Sequence, residues 1–281
     1  MAGVRDIRRR IRAVRNMQQI TRAMKMVAAA KLRKSQEKVL AARPYARQLQ
    51  EVLARLVQDQ ADLSHPLLDK RAVQRVGYVV VSADRGLCGA FNANVLRKTS
   101  ALVAEQEHEA KLVTVGRKSR DFFRRGKVEI LSAFADLGDE PHYGQAKAIA
   151  AEVARLYQSG ACDEVYLVYT EFVTAISQRP VVVKLLPIEQ PAAKNRRQYI
   201  FEPSPADIMA RLLPKYLETT LYRALLESKA SEMGAKMTAM GAATDNAKEM
   251  IDRLTLAMNR ARQAAITKEI SEIVGGAAAL E

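Results

Sequence analysis

The carboxyl-terminal part of the chain carries an apolar stripe with the four-three spacing of a two-helix coiled coil. Ser204, Pro205 and Asp207 are typical of a helix start, and a glycine pair near residue 275 is typical of a helix end. The spacing therefore predicts a long helix over residues 205–281, with a break or kink at Pro214. The stripe consists of Met233, Met237, Met240, Thr244, Ala247, Ile251, Leu254, Met258, Ala261 and Ala265.

The amino-terminal part predicts a second long helix, over residues 1–60. Residues 4–43 contain neither glycine nor proline, and forty helical residues would reach about 60 Å. Such a helix is too long to pack inside a compact domain, so it must project or pair along its length. Its stripe slips in spacing near Met17, which alters supercoiling locally. The members are Val4, Ile7, Ile11, Val14, Met17, Ile20, Met24 and Val27.

The two predicted helices lie at opposite ends of one chain, so an antiparallel pair within the chain is the simplest arrangement. Composition agrees, because all 6 Phe and 9 Tyr fall between Tyr45 and Tyr222, and the terminal arms use Met, Ala, Ile and Leu instead. These side chains suit a thin seam between two helices rather than a thick core. A parallel coiled coil between two copies of the chain has the same periodicity and is the alternative.

The middle of the chain, residues 76–190, alternates strand and helix patterns. This order predicts a central open α/β domain of Rossmann-like type, flanked by connectors at 61–75 and 191–204. The complete fold is therefore predicted as α/β, with a long antiparallel two-helix coiled coil from the N- and C-terminal segments. Strands are expected at 75–83, 111–115, 164–173 and 180–186, and helices at 92–107 and 145–158.

Positive charge is concentrated at the amino end. Residues 1–60 hold 15 Lys or Arg against 4 acids, and so carry +11 of the net charge of +14. A basic coiled-coil protein that binds nucleic acid is one interpretation, although the arm lacks aromatic residues for base stacking and no recognised DNA- or RNA-binding module follows. A solvated coiled-coil face and a surface for acidic protein loops are the other two interpretations.

Candidate chemistry is sparse. The sequence has no GxxxxGK[ST] phosphate loop, no HExxH and no CxxC pair, and its three histidines are scattered. The GLCG segment at 86–89 follows a strand and precedes a helix, where a phosphate could bind, but glycines for a tight turn are the simpler explanation. Asp84 and Arg85 beside it could form an ion pair or a catalytic pair. Cys88 and Cys162 are expected to be buried thiols, and no catalytic residue, metal or cofactor is predicted.

The carboxyl end is apolar, where an exposed terminus would ordinarily be polar. Ile270, Ile273 and Val274 lie there among small residues, so an enclosing apolar sleeve on a partner is one interpretation and fraying to disorder is the other. No apolar run approaches the length of about 18 residues that a membrane span needs.

Segments in correct order along the chain resemble the γ subunit of F-type ATP synthases. RDIRRRIRAVRNMQQIT and AMKMVAAAKLRKSQ, within residues 5–36, resemble the opening helix of that family, and SADRGLCGAFN at 82–92 resembles its central-domain motif. MGAATDNA at 240–247 and ITKEISEIVGGAAA at 266–279 are similar to its closing helix. The chain is identified as a member of this family over effectively its full length.

The resemblance implies a central rotor stalk rather than an enzyme, with ATP bound by a surrounding ring. The implied partners are the α and β subunits of that ring, the ε subunit and the c-subunit ring, with no nucleic acid. Membrane association would be indirect, through a c ring driven by protons or sodium ions. The middle domain has no extended insertion with paired cysteines, which favours a bacterial source and a place on the cytoplasmic face of the cell membrane.

The resemblance also implies roles for individual residues. Arg262 and Gln263 would bind a catch loop on β, and Met24 would face acidic levers on β. Positive surfaces along the stalk would include Arg33, Lys34 and Lys236. An apolar bearing would hold the tip formed by Ile270, Ile273, Val274 and Ala277. The foot, bound by ε and the c ring, would contain Tyr199, Phe201 and Glu202.

Overall fold

The computed structural model describes residues 4–59, 65–189 and 204–278. Contacts divide the chain into two compact units, here called unit 1 (residues 1–27 and 237–281) and unit 2 (residues 28–236). Helix α1 (Val4–Asp59) and helix α5 (Pro205–Ala278) each contribute to both units. Both helices continue through an internal proline, which is Pro44 in α1 and Pro214 in α5. The predicted helix break at Pro214 is therefore absent from α5.

Within unit 1 the two helices run in opposite directions. The hydroxyl groups of Thr21 and Thr244 are hydrogen-bonded at 2.9 Å. One turn further along α1, the Lys25 ammonium lies 3.5 Å from the point where a Cβ atom on Gly241 would stand. Residue numbers therefore rise along α1 as they fall along α5, and the predicted antiparallel coiled coil is confirmed. If this register is continued to the first residue of α1, Val4 lies opposite Ala261 of α5.

The buried side of α1 in unit 1 follows the predicted stripe as far as Val14 and meets it again at Met24, which is half-buried. Four-three spacing continued from Val14 leads to Gln18, which is half-buried, and Thr21, which is buried. Helix geometry thus overrides hydrophobicity here, because the side chains that face the partner helix are set by spacing. On α5 every predicted stripe residue is buried or half-buried except the last, Ala265. The prediction was wrong for three α1 residues, whose exposed fractions are 57%, 55% and 55%: Met17, Ile20 and Val27.

Paired substitutions test this seam. Ile11→Ala should lower the free energy of unfolding by about 2–4 kcal/mol, because Ile11 is only 5% exposed and its loss leaves a cavity. Met17→Ala should change it by less than about 0.5 kcal/mol, because most of that side chain already faces solvent. Urea unfolding followed by circular dichroism measures both. Equal losses of unfolding free energy in the two variants would indicate that Met17 is buried in the seam.

Unit 2 is built on a five-stranded sheet of order β3-β2-β1-β4-β5. The first four strands in chain order are parallel and β5 is antiparallel to β4. The strands are β1 (Arg75–Val81), β2 (Glu109–Val115), β3 (Glu129–Phe134), β4 (Glu164–Phe172) and β5 (Gln178–Leu186). The helices between them are α2 (Phe91–Glu105), α3 (Arg117–Phe123) and α4 (Tyr143–Gln158). The predicted open α/β sheet is confirmed, with β3 and α3 as additions that the sequence did not predict.

Both faces of the sheet are covered, which explains the unbroken apolar run of β1. Tyr78 and Val80 belong to a cluster with residues of α2 and α3, whereas Val79 and Val81 belong to a cluster with residues of α4. The second cluster also contains buried leucines of α1 and α5 from within unit 2, which are Leu53, Leu56, Leu213, Leu217 and Leu221. The sheet is therefore packed directly against parts of the two long helices.

Candidate functional site

The carboxyl edge of the sheet, where a nucleotide would bind in many α/β folds, is occupied by the chain itself. The Asp84 carboxylate accepts hydrogen bonds from the backbone N–H groups of Arg117 (3.0 Å), Asp136 (3.1 Å) and Leu137 (2.9 Å). These groups follow β2 and β3, so one carboxylate joins the ends of three neighbouring strands. N–H groups that could hold a phosphate are already satisfied by a negative charge, which disfavours an anion site here.

The GLCG segment has the geometry of a tight turn. Leu87 and Gly89 adopt positive φ angles of 63° and 55°, and Asn92 Oδ1 accepts the N–H of Ala83 at 3.0 Å. The Phe91 N–H also donates to the Cys88 carbonyl at 3.2 Å, so the segment is a tight turn, in agreement with the simpler explanation of its glycines. Burial raises the pKa of the Cys88 thiol, and the buried Cys162 is also a free thiol. Among residues 4–59, 65–189 and 204–278, no group of three or more potential ligands could hold a metal ion.

The carboxyl-terminal part of α5, in unit 1, is exposed to solvent. Helix α5 continues for 17 residues beyond Ala261, which lies opposite the first described residue of α1. At about 1.5 Å per residue this single helix, here called the overhang (residues 262–278), is about 25 Å long. Every side chain described in it, from 262 to 275, is exposed. The overhang is thus a helix without a partner in the described part of the chain.

The apolar face of the overhang is not a continuation of the coiled-coil seam. Four-three spacing continued from Ala261 reaches Ala265, Lys268, Glu272 and Gly275, which are small or charged. The apolar side chains lie one or two positions later, on a different side of the helix. They are exposed by 49%, 56%, 71% and 62%, in the order Ile266, Ile270, Ile273 and Val274. A longer α1 could not cover this face, so it is suited to another molecule.

The predicted partner-binding residues fall into separate places. Arg262 and Gln263 are exposed at the base of the overhang, about two helical turns before Ile270, the first predicted tip residue. Met24 is half-buried beside the seam, at a level opposite residue 241 or 242. About 20 residues of α5, or about 30 Å, separate that level from Arg262. The side chain of Ala277 and the predicted foot residues Tyr199, Phe201 and Glu202 lie outside the described residues.

The three predicted cations of the stalk all have carboxylate neighbours within the chain. Arg33 Nε lies 3.4 Å from Glu37 Oε1 on the same helix. Lys236 Nζ lies 3.5 Å from Glu232 Oε1, and its side chain is mostly buried. Lys34 binds Glu140, which lies after β3. Of the three, Arg33 presents the most exposed side chain.

Glu140 and its neighbour Asp139 form ion pairs with three lysines of α1. Hydrogen bonds from Lys34 and Lys38 lower the pKa of Glu140 to about 2, and a hydrogen bond from Lys31 lowers the pKa of Asp139. A depressed carboxyl pKa stabilises the fold above the ordinary value, which is 4.5 for Glu140. This stabilisation is lost as the pH falls toward about 2, so the contacts are fully ionised at neutral pH.

Comparisons with known proteins agree on one family. A sequence profile described as ATP synthase matches residues 3–280. The ATP synthase gamma chain of Desulfitobacterium hafniense is 70% identical over 281 residues, which cover 100% of both chains. That of Heliobacterium modesticaldum is 58% identical over 290 residues, again covering 100% of both. The chain belongs to the ATP synthase gamma-chain family.

Solved structures agree with the gamma-chain assignment. A chain in the central stalk and c-ring structure of Tetrahymena thermophila mitochondrial ATP synthase matches with a TM-score of 0.63 and 27% identity. The match covers 80% of this chain and 99% of that one. A chain of Euglena gracilis mitochondrial ATP synthase has a TM-score of 0.70 at 21% identity, over 99% and 94% of the two chains, which shows likeness of fold. The nucleic-acid alternative gains no support from these relatives.

One surface of this gamma-chain family member was missed from the sequence. Met17, Ile20 and Val27 form an exposed apolar strip on α1, whereas the stripe analysis placed them in the seam. The spacing slip at Met17 was the available signal, because strict continuation of the four-three pattern excludes all three residues from the seam.

Within the described ranges, no helix is both long and apolar enough to cross a membrane.

Proposed function

We propose that the overhang is the surface by which this chain, as the central rotor stalk of an F-type ATP synthase, engages the ring of α and β subunits. The observation that carries the proposal is the apolar face of the overhang, which is displaced from the seam and exposed along its length. Exposed apolar faces of this kind are typical of protein interfaces. An enclosing apolar bearing on the ring is the occupant that fits a narrow single helix.

The chain is a non-catalytic subunit, and ATP is made on the partner β subunits. Rotation of the membrane c ring, driven by protons or sodium ions, reaches those sites through this stalk. The stalk is a helix pair from which α5 continues alone, so it lacks threefold symmetry. Three like sites around it therefore meet different faces. A difference in contact free energy is what shifts the conformational equilibrium of each site in turn.

Arg262 and Gln263 are proposed to bind a catch loop on β. Both are exposed at the point where the seam ends, so a loop of the ring can reach them without displacing a residue of this chain. A guanidinium group can donate two parallel hydrogen bonds to a carboxylate, which gives Arg262 both charge and directional specificity.

Arg262→Ala tests this assignment. We expect proton-driven ATP synthesis by the reconstituted complex to fall by about tenfold or more, because a charge-assisted hydrogen bond contributes about 1.5–3 kcal/mol. Lys268→Ala is the matched control, since it removes another exposed cation from the same helix. Thermal unfolding should be the same for both variants. Wild-type synthesis by the Arg262→Ala complex would refute the catch role.

The remaining assignments are extensions of this proposal. Met24 is proposed to face acidic levers on β with its exposed part, and Arg33 to contribute to a positive surface together with Lys34 and Lys236. For the last two, the intramolecular carboxylate contacts reduce the charge available to a partner. The tip that enters the bearing is proposed as Ile270, Ile273, Val274 and Ala277, and the foot bound by ε and the c ring as Tyr199, Phe201 and Glu202.

The proposed placement in the cell follows from the c ring. The chain is a peripheral subunit, and we place it on the cytoplasmic face of a bacterial membrane, held there by ε and the c ring.

We also propose that shaft and foot correspond to segments of the chain. These segments are the terminal helices (1–60 and 205–281), the connectors (61–75 and 191–204) and the central domain (76–190).

A further inference from the structure

The segment between β3 and α4, residues 135–142 and here called the strut loop, is held to the sheet by several independent contacts. Two of its N–H groups, at Asp136 and Leu137, donate to the Asp84 carboxylate. The Leu137 carbonyl accepts a hydrogen bond from Gln145 Nε2 at 3.0 Å. Asp136 and Gly138 adopt positive φ angles of 60° and 75°, so the loop is sharply folded. A non-glycine residue in that conformation persists only where its surroundings fix it.

The opposite side of the strut loop is held by the long helices. Lys31 Nζ lies 2.8 Å from Asp139 Oδ2 and Lys38 Nζ lies 2.7 Å from Glu140 Oε2, with Lys34 on the other oxygen of Glu140. From α5, Lys229 Nζ donates to the Gly138 carbonyl at 3.4 Å. The loop therefore contacts the sheet, α1 and α5 within eight residues.

Stability alone does not account for this cluster. The three lysines of α1 are spaced by three and four residues, so they share one face and would repel one another without the two carboxylates. Their contacts are partly exposed, and exposed ion pairs contribute little to the free energy of unfolding. They do, however, join residues about 100 positions apart in sequence, so they fix one element against another.

We propose that the strut loop is a torque-bearing brace, in which Asp139 and Glu140 grip Lys31, Lys34 and Lys38 so that the sheet and α1 turn as one body. Asp84 anchors the sheet end of the brace and the lysines anchor its helix end. Asp139 and Glu140 are thus positioning residues, which act on the ring only through the stiffness of the stalk. The proposal rests on the rotor function, because resistance to twisting matters only in a chain that transmits torque.

Angular fluctuation of the stalk in the assembled complex tests the proposal. The ring is fixed to a surface, a bead is attached to unit 2 through Glu107→Cys, and the spread of bead angles is recorded during a nucleotide-bound pause. Glu140→Gln should increase the angular variance by about twofold, because a neutral amide replaces the carboxylate that holds Lys34 and Lys38, and its hydrogen bonds to ammonium groups are about half as strong. Coupled ATP synthesis should fall more than unloaded ATP hydrolysis, since only synthesis loads the brace.

Two controls separate the brace from general destabilisation. Glu249→Gln removes the carboxylate of an exposed pair with Arg253 inside α5, which joins no second element, and should leave the variance unchanged. Exchanging the charges, with Lys34→Glu, Lys38→Glu and Glu140→Lys together, should restore most of the stiffness. Equal variance in the Glu140→Gln and Glu249→Gln complexes, with unaltered thermal midpoints, would overturn the brace. Rotation of the wild-type complex in the same assay shows whether the rotor function itself holds.

Discussion

A chain in which Ile270 and Ile273 are both changed to aspartate is expected to lose stable insertion into the ring of α and β subunits. Burial of one such side chain contributes about 1.5–3 kcal/mol, and burial of an unpaired carboxylate costs several more. The two changes should therefore weaken association by at least about 10³-fold. Titration of the variant into separately prepared α and β subunits, followed by size-exclusion chromatography, measures the loss.

The control for this experiment lies on the same overhang. Lys268→Asp together with Ser271→Asp also adds two carboxylates to α5, but away from the apolar face. We expect this chain to assemble and to support ATP synthesis close to the wild-type level, with the same helix content by circular dichroism. If both double variants assembled equally well, the apolar face would have no bearing partner.

Gly116→Ala is expected to have the largest effect on the fold of unit 2. Gly116 has a φ of +97°, and a Cβ atom there would stand 2.3 Å from the carbonyl oxygen of Ser82. Its N–H also donates to the Phe134 carbonyl at 2.7 Å, so the backbone cannot move away without losing that bond. A loss of about 3 kcal/mol or more in the free energy of unfolding follows from the clash and the disfavoured conformation together.

Gly86→Ala provides the comparison, because a Cβ atom on Gly86 would meet nothing within 4 Å. Its free energy of unfolding should change by less than about 1 kcal/mol, with a small gain from the reduced freedom of the unfolded chain. Urea unfolding of both variants gives the difference. A Gly116→Ala chain as stable as Gly86→Ala would mean that the edge of the sheet is more open than the Asp84 contacts indicate.

The long helices were predictable because their signals are local. Ser204 Oγ accepts the N–H of Asp207 at 3.2 Å, as the predicted helix start requires, and the α5 stripe correctly marks the seam up to Ala261. The α1 stripe was wrong at Met17, Ile20 and Val27, because these hydrophobic side chains lie on an outer surface rather than in the seam. The sequence also missed β3, a partly exposed strand at the edge of the sheet, and α3, which has only 7 residues.

The candidate surfaces were predictable in part. An apolar carboxyl end is visible in the sequence, but its displacement from the seam appears only once the register of the two helices is known. The strut loop could not be predicted, since its contacts join Lys34 and Lys38 to Glu140 across about 100 residues. Asp84 was noticed as candidate chemistry, and its true contacts are backbone groups that no local pattern reveals.

The hydroxyl pair of Thr21 and Thr244 has a consequence for how the shaft keeps its length. If α5 slid by one heptad, the Thr21 hydroxyl would face Met237 or Ile251 and lose its hydrogen bond to Thr244, keeping only the Gln18 carbonyl of its own helix. Each such step would also shorten or lengthen the protruding end by about 10 Å. The hydrogen bond between the two threonines therefore favours one axial register of the helix pair, and with it one length of unpaired helix beyond the start of α1.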